Sequence, residues 1–365
     1  MSAHDHGVDQ TPQSAASDWW IYRGTGRPLH DVRLADQLPP PPPWRRFRGE
    51  PPPGPETLPV DDYEAERRLG AEFHLTAEDV DPREIDMVNA SLFLRRPLLV
   101  TGKPGSGKSA LAYRVSRELR LGRVLRWSVT SRTTLQSGQY EYDAIGRAQA
   151  AATSYAAARR AETNGSTDVE EPAIGDFIRL GPLGTAFLPT RTPRVLLIDE
   201  LDKSDADLPN DLLSIFEDAE FGIPELERIR AHTSTVRVFT SDRNGSATLT
   251  DGRVACAAFP VIIITSNGER EFPAAFLRRC LRLEMREPDA NQLAAMVANH
   301  MLDQDGVHSD RLIREFVARS AELDGLPADK LLEAVYLATS GAFRENGQSW
   351  PRLLDALWRR LSLAP

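Results

Sequence analysis

Three stretches of this chain are apolar at consecutive positions: Leu98-Leu99-Val100, Val195-Leu196-Leu197-Ile198 and Val261-Ile262-Ile263-Ile264. Runs of this length without alternation predict strands buried on both faces, as in a parallel sheet covered by helices. Val124 to Val129 reads as a further strand. Val236 to Thr240 alternates instead, and the pairs Asn244-Gly245 and Asp251-Gly252 lie close by. Alternation next to such pairs predicts hairpins between Glu220 and Ala258. Helical spacing marks 61–94, with Ile85, Met87, Val88, Leu92 and Phe93 on one face, and then Ala110 to Leu119. It continues in the alanine-rich run Ala144 to Ala161, in a short helix expected over Phe177 to Phe187, and in Leu208 to Ala219. Thr130 to Tyr142 is polar, and Asn164 to Glu171 reads as a loop. Beyond Asp289 no strand signal remains; helical periodicity recurs at 293–301, 312–321, 330–338 and 353–361.

This order predicts an α/β fold: a parallel sheet flanked by helices over 61–287, followed by a small all-α domain over 288–365. Residues 1–60 differ from both. Pro39 to Pro43 are unbroken prolines, and Pro51-Pro52-Pro53 follow. Such a segment favours extended polyproline II and is expected to be a disordered arm. Trp19-Trp20-Ile21-Tyr22 and Trp44-Arg45-Arg46-Phe47-Arg48 leave a second reading open, a docking segment that orders on a partner or neighbouring subunit.

Composition narrows the function classes. With 365 residues the chain is long enough for several domains and a core that needs no staples. A formal charge of −9 gives no general drive toward nucleic acid or anionic membranes. Cys256 and Cys280 are the 2 cysteines, and the 7 histidines show no metal-ligand spacing, so neither a disulfide scaffold nor a zinc site is expected. Met1 to Gln13 lacks the apolar core of a secretion signal, and no apolar run approaches a membrane span. A cytoplasmic location is expected.

The chemistry lies at strand ends. After Leu98-Leu99-Val100 comes Gly102-Lys103-Pro104-Gly105-Ser106-Gly107-Lys108-Ser109, and then Ala110 opens an amphipathic run. Glycines let backbone N–H groups curl around phosphate oxygens, and a helix N-terminus adds its free donors. Lys108 is placed to reach the β- and γ-phosphates, and the Ser109 hydroxyl to ligate Mg²⁺. The second strand of this kind ends in Asp199-Glu200, a metal-facing carboxylate followed by a general base that would orient water. The third ends in Thr265-Ser266-Asn267, with an amide placed to align that water. Arg278 and Arg279 close the run Phe272 to Cys280, and a guanidinium there can stabilise charge on a transferred phosphoryl group.

Gly102 to Ser109, Val195 to Glu200, Asn267 and Ala275 to Cys280 together resemble an AAA+ ATPase, and within that superfamily the MoxR-like branch, over about residues 75 to 360. The resemblance implies a five-stranded parallel core with a helical lid, ATP and Mg²⁺ as ligands, and a ring, usually hexameric, in which the arginine of one subunit completes the site of the next. Arg279 best matches that finger, with Arg278 the alternative. Lys330 is the candidate cation for the lid position called sensor 2. Phe221 to Leu226 resembles the start of a hairpin inserted before sensor 1. The implied function is Mg-dependent ATP hydrolysis coupled to remodelling of an unknown protein client or effector. The alternative from another class is a nucleotide-gated binding or scaffold module with little turnover. A small-substrate phosphotransferase explains neither Glu200 nor Asn267 nor the arginine pair.

Overall fold

The computed structural model describes residues 19–29, 33–70, 80–163, 172–300, 307–323, 326–340 and 350–358. The strands are β1 (Leu98–Thr101), β2 (Leu125–Ser128), β3 (Tyr140–Tyr142), β4 (Ile178–Leu180), β5 (Val195–Asp199), β6 (Glu220–Gly222), β7 (Thr235–Phe239), β8 (Ser246–Thr250), β9 (Arg253–Ala255), β10 (Val261–Ser266) and β11 (Leu281–Glu284). A 5-stranded sheet runs in the order β11-β1-β10-β5-β2. Every pairing in it is parallel. All residues of β5 and β10 are buried. Helices on both faces leave no water for these residues, which is why the two runs carry no alternation. β11 is the edge strand that the sequence reading did not name. Its Leu-Arg-Leu-Glu alternation marks a strand with one wet face.

A second, 6-stranded sheet runs β3-β4-β7-β8-β9-β6. The predicted hairpins are here. β8 turns into β9 through Asp251-Gly252, at φ 53° and 71°, so a two-residue turn joins them. Two expectations change. The helix expected over Phe177 to Phe187 is strand β4 followed by the shorter helix Pro182–Ala186. The polar stretch before it holds the helix Leu135–Gln139 and strand β3, which pairs with β4. Period-2 signals only three residues long are too short to read. The alanine-rich helix spans Ala144–Thr163. The helical pattern over 61–94 is realised as Asp62–Leu69 and Pro82–Leu94. The loop expected over 164–171 lies outside the described residues.

The C-terminal residues form the helices Ala290–His300, Val307–Glu322, Asp329–Thr339 and Trp350–Leu357. Their apolar faces build a cluster of their own around Leu312, Phe316, Leu331 and Trp358.

Part of the N-terminal segment packs against the rest of the chain. Residues 1–18 lie outside the described residues, but 19–29 and 33–60 do not form a free arm. Ile21, Tyr22 and Leu34 are buried in the cluster that covers β1 and the helix Lys108–Glu118. Polar chemistry holds them there. Asn89 accepts from the amides of Ile21 and Tyr22 and donates to the Tyr22 carbonyl. Glu118, fully buried, accepts from the amides of Arg23 and Gly26 and from the Thr25 hydroxyl. Further on, Arg45 donates to the carbonyls of Arg95 and Phe216 and lies over the Phe259 ring at 4.4 Å. The segment docks, but on its own chain.

Two predictions follow from this packing. Glu118→Ala strands buried N–H donors and is expected to cost about 3 kcal/mol in urea unfolding, with Glu118→Gln losing less. Burial pushes the Cys256 and Cys280 thiols up to about 12. Both are therefore expected to stay silent toward a chromogenic disulfide at mildly alkaline pH and to react fully once the protein is unfolded.

Candidate functional site

β10 lies between β1 and β5, and all three run the same way. Their C-terminal ends therefore deliver Gly102 to Ser109, Asn267, and Asp199 with Glu200 to one edge of the sheet, where ligands bind in open α/β folds. Gly105 and Gly107 take φ of 80° and 86°, values that other residues adopt only under strain. A Cβ on Gly105 would sit 2.4 Å from Pro327 Cα, so the start of the helix Asp329–Thr339 rests directly on the loop. Lys108, the first residue of its helix, donates from Nζ to the carbonyls of Gly102 and Lys103, each at 2.7 Å. Burial pushes its pKa down, and Asp202, Asp199 and Glu200 oppose that shift only in part. The Ser106 hydroxyl oxygen is buried in the loop with no hydrogen-bond partner.

Asp199 is the hub of the carboxylate edge. Its Oδ1 accepts from Ser109 Oγ at 2.7 Å and from Thr265 Oγ1 at 2.8 Å. Its Oδ2 accepts from Arg126, Nε at 3.0 Å and Nη2 at 2.6 Å. Burial raises its pKa, but hydrogen bonds from Ser109, Thr265 and Arg126 more than offset it, so the carboxyl is held below its ordinary value. Glu200 turns in the left-handed region, φ 62° and ψ 49°, which throws its side chain out of the strand direction. Its amide donates to Thr265 Oγ1 at 2.8 Å, and its carboxylate pairs with Lys203 at 2.9 Å. Asp202, buried, accepts from the amides of Asn267 and Glu269 at 2.8 and 3.1 Å and so positions the turn that carries Asn267.

The residues fit a metal–triphosphate group. Ser109 and Asp199 offer adjacent hard oxygens of the kind Mg²⁺ prefers. The unpartnered Ser106 hydroxyl and the N-terminus of the helix Lys108–Glu118 offer donors to phosphate oxygens. Beside Ser106, Gly107 and Ala110 opens a cavity of about 550 Å³. Glu84 and Arg114 close one side of it, Met285 and Gln292 another. Three segments distant in sequence build this cavity, so no local motif announces it.

The AAA domain family, dynein-related subfamily, matches residues 97–280, half of the chain. This chain belongs to that family. A comparison with curated proteins gave no match. A solved structure titled as that of C. elegans PCH-2 is similar over 84% of this chain and 73% of that one, at 15% identity and a TM-score of 0.39. Among the described residues no helix is long and apolar enough to cross a membrane.

In this AAA domain the arginine pair stands apart from the loop. Arg278 and Arg279 end the helix Ala274–Arg279 just before β11, at the opening end of the strands, whereas Gly102 follows their closing end. A four-residue strand separates the two by on the order of 10 Å. Arg279 pairs with Glu217 at 2.6 Å, and its carbonyl accepts from Arg96 at 3.1 Å. Arg278 is exposed. Lys330 pairs with Glu333 at 2.8 Å rather than with the loop on which its helix rests. Lys103 pairs with Glu287 at 2.7 Å.

Thr265, Asp202 and Arg126 escaped the sequence reading. Thr265 and Asp202 sit within three residues of Asn267 and Asp199, and a polar residue ending an apolar run was a usable signal. Arg126 had none beyond being a charge inside a strand. Thr265→Val removes the hydroxyl shared by Asp199 and the Glu200 amide at nearly constant volume. A loss of about 2 kcal/mol in denaturant unfolding is expected, restored largely by Thr265→Ser.

Proposed function

We propose that this AAA domain hydrolyses ATP with Mg²⁺ as a MoxR-like, ring-forming ATPase and uses the energy to remodel a protein partner. The observation that carries this reading is the meeting of Lys108, the Ser109–Asp199 pair, Glu200 and Asn267 at the ends of β1, β5 and β10. Lys108 leaves its own loop carbonyls for the β- and γ-phosphate oxygens, a swap favoured because a charge-assisted bond to an anionic oxygen is stronger than one to a neutral carbonyl. The loop amides and Ser106 hold the remaining phosphate oxygens. Ser109 and Asp199 hold the metal, which when bound neutralises charge developing on the phosphoryl group. Glu200 releases Lys203 and takes a proton from the attacking water, and Asn267 fixes the direction of attack. The cavity beside Ala110 takes the base and sugar.

Arg279, or Arg278, acts on the neighbour's phosphate rather than on its own. Its place at the opposite end of the strands supports this, as does its setting on an exposed helix. The hairpin β7–β8 and the turn after Phe221 support the MoxR-like assignment and a contact with client or neighbour. We divide the chain into a Pro-rich N-terminal segment over 1–60, whose described residues dock on the rest of the chain, a nucleotide-binding domain over 61–287 and a lid over 288–365. Lys330 serves as sensor 2 only by leaving Glu333. The Glu200–Lys203 pair favours the second reading, a nucleotide-gated binding module that turns over little.

Glu200→Gln decides between them. For a hydrolase it is expected to keep ATP binding and cut turnover by at least about 100-fold. Unchanged, near-zero turnover in both proteins supports the gated module. Mixing Arg279→Ala with Glu200→Gln protein is expected to restore part of the activity, because some interfaces regain one intact half from each. Absence of rescue, with Arg278→Ala behaving likewise, argues against action between subunits.

A further inference from the structure

We propose that Arg126 competes with the divalent cation for Asp199, so that the site takes up metal only as this guanidinium lets go. The proposal rests on the reading of Asp199 as the metal-facing carboxylate. The two oxygens of Asp199 have different partners: hydroxyls of Ser109 and Thr265 share Oδ1, while Arg126 alone holds Oδ2 with two N–H groups. A cation on Oδ2 displaces Arg126 directly. A cation on Oδ1, beside Ser109, comes to rest a few ångströms from the guanidinium, and two positive centres on one buried carboxylate repel strongly.

The geometry shows which partner yields. Asp199 is locked, with a side chain 6% exposed, whereas that of Arg126 is 39% exposed. Arg126 also stands on β2, the outer strand of the sheet, paired on one side only. Its guanidinium can swing to water without opening the core. The carboxylates next to Asp199 in sequence are engaged elsewhere: Glu200 pairs with Lys203, and Asp202 holds the amides of Asn267 and Glu269. Arg126 thus sets how much metal the nucleotide needs to bind tightly. A merely structural anchor would shift affinity equally with and without metal.

The test is calorimetry of the full chain with a non-hydrolysable ATP analogue, once with magnesium and once with EDTA. In R126Q the ratio of the two affinities is expected to rise about tenfold over the wild type. Binding tightens with magnesium, because the competitor is gone, and weakens with EDTA, because the Asp199 charge then faces the phosphates bare. R126K, which keeps the charge but loses the fork, is expected to fall between, and it carries the test if R126Q does not fold. An unchanged or smaller ratio in the folded variants overturns the proposal. A wild-type chain that binds no analogue under either condition overturns the nucleotide reading itself and this proposal with it.

Discussion

One carboxylate ties the working edge of this molecule together. Asp199 grows from β5, and its oxygens are held by a hydroxyl from the helix Lys108–Glu118, a hydroxyl from β10 and a guanidinium from β2. Four elements therefore meet at one charge. In the low dielectric of a buried strand end, such a charge is tolerable only when every lone pair has a donor. The same requirement aligns Ser109 with Lys108 one residue before it, and turns Glu200 outward by giving its amide to Thr265. The spacing of the candidate chemistry follows from satisfying Asp199.

Much of this edge is legible in the sequence because it is local. Gly102 to Ser109 needs glycines at fixed positions, Asp199 closes a continuous apolar run, and Asn267 follows another by two polar residues. The central sheet follows for the same reason: two-sided burial leaves an unmistakable run in β5 and β10. What could not be read is non-local. β3 and β4 are stable as strands only because β3 pairs with β4 and β4 with β7, and three residues carry no period by themselves. Arg126 looks like any strand charge until β2 is laid beside β5. The cavity beside Ala110 exists only after residues near 84, 110 and 285 come together.

The N-terminal segment shows how composition misleads. Its prolines argue for an extended, unpacked chain, and outside the short helix Leu34–Gln37 and the 3-10 turn Pro43–Arg45 its described residues up to 60 form no helix or strand. Yet an extended chain also leaves its amides free, and Asn89 and Glu118 accept them. Burying Tyr22 between the helices Pro82–Leu94 and Lys108–Glu118 adds apolar area that the docked residues alone would lack. The tyrosine hydroxyl donates to Glu84, which in turn pairs with Arg114 at 2.6 Å, and both carboxylate and guanidinium line the cavity beside the glycine-rich loop. Order here comes from the receiving surface, which a composition argument on the segment never consults.

The second sheet carries a mechanical consequence. β4 belongs to an excursion between β2 and β5, and β7 to another between β5 and β10, yet they join through the bridge between Arg179 and Phe239, where the guanidinium lies 5.3 Å from the ring. Two detours that leave the core from different strands are thereby riveted into a single plate. Both its hinges flank β5. A displacement of that one strand would therefore bear on both excursions together, through the single bridge that joins them.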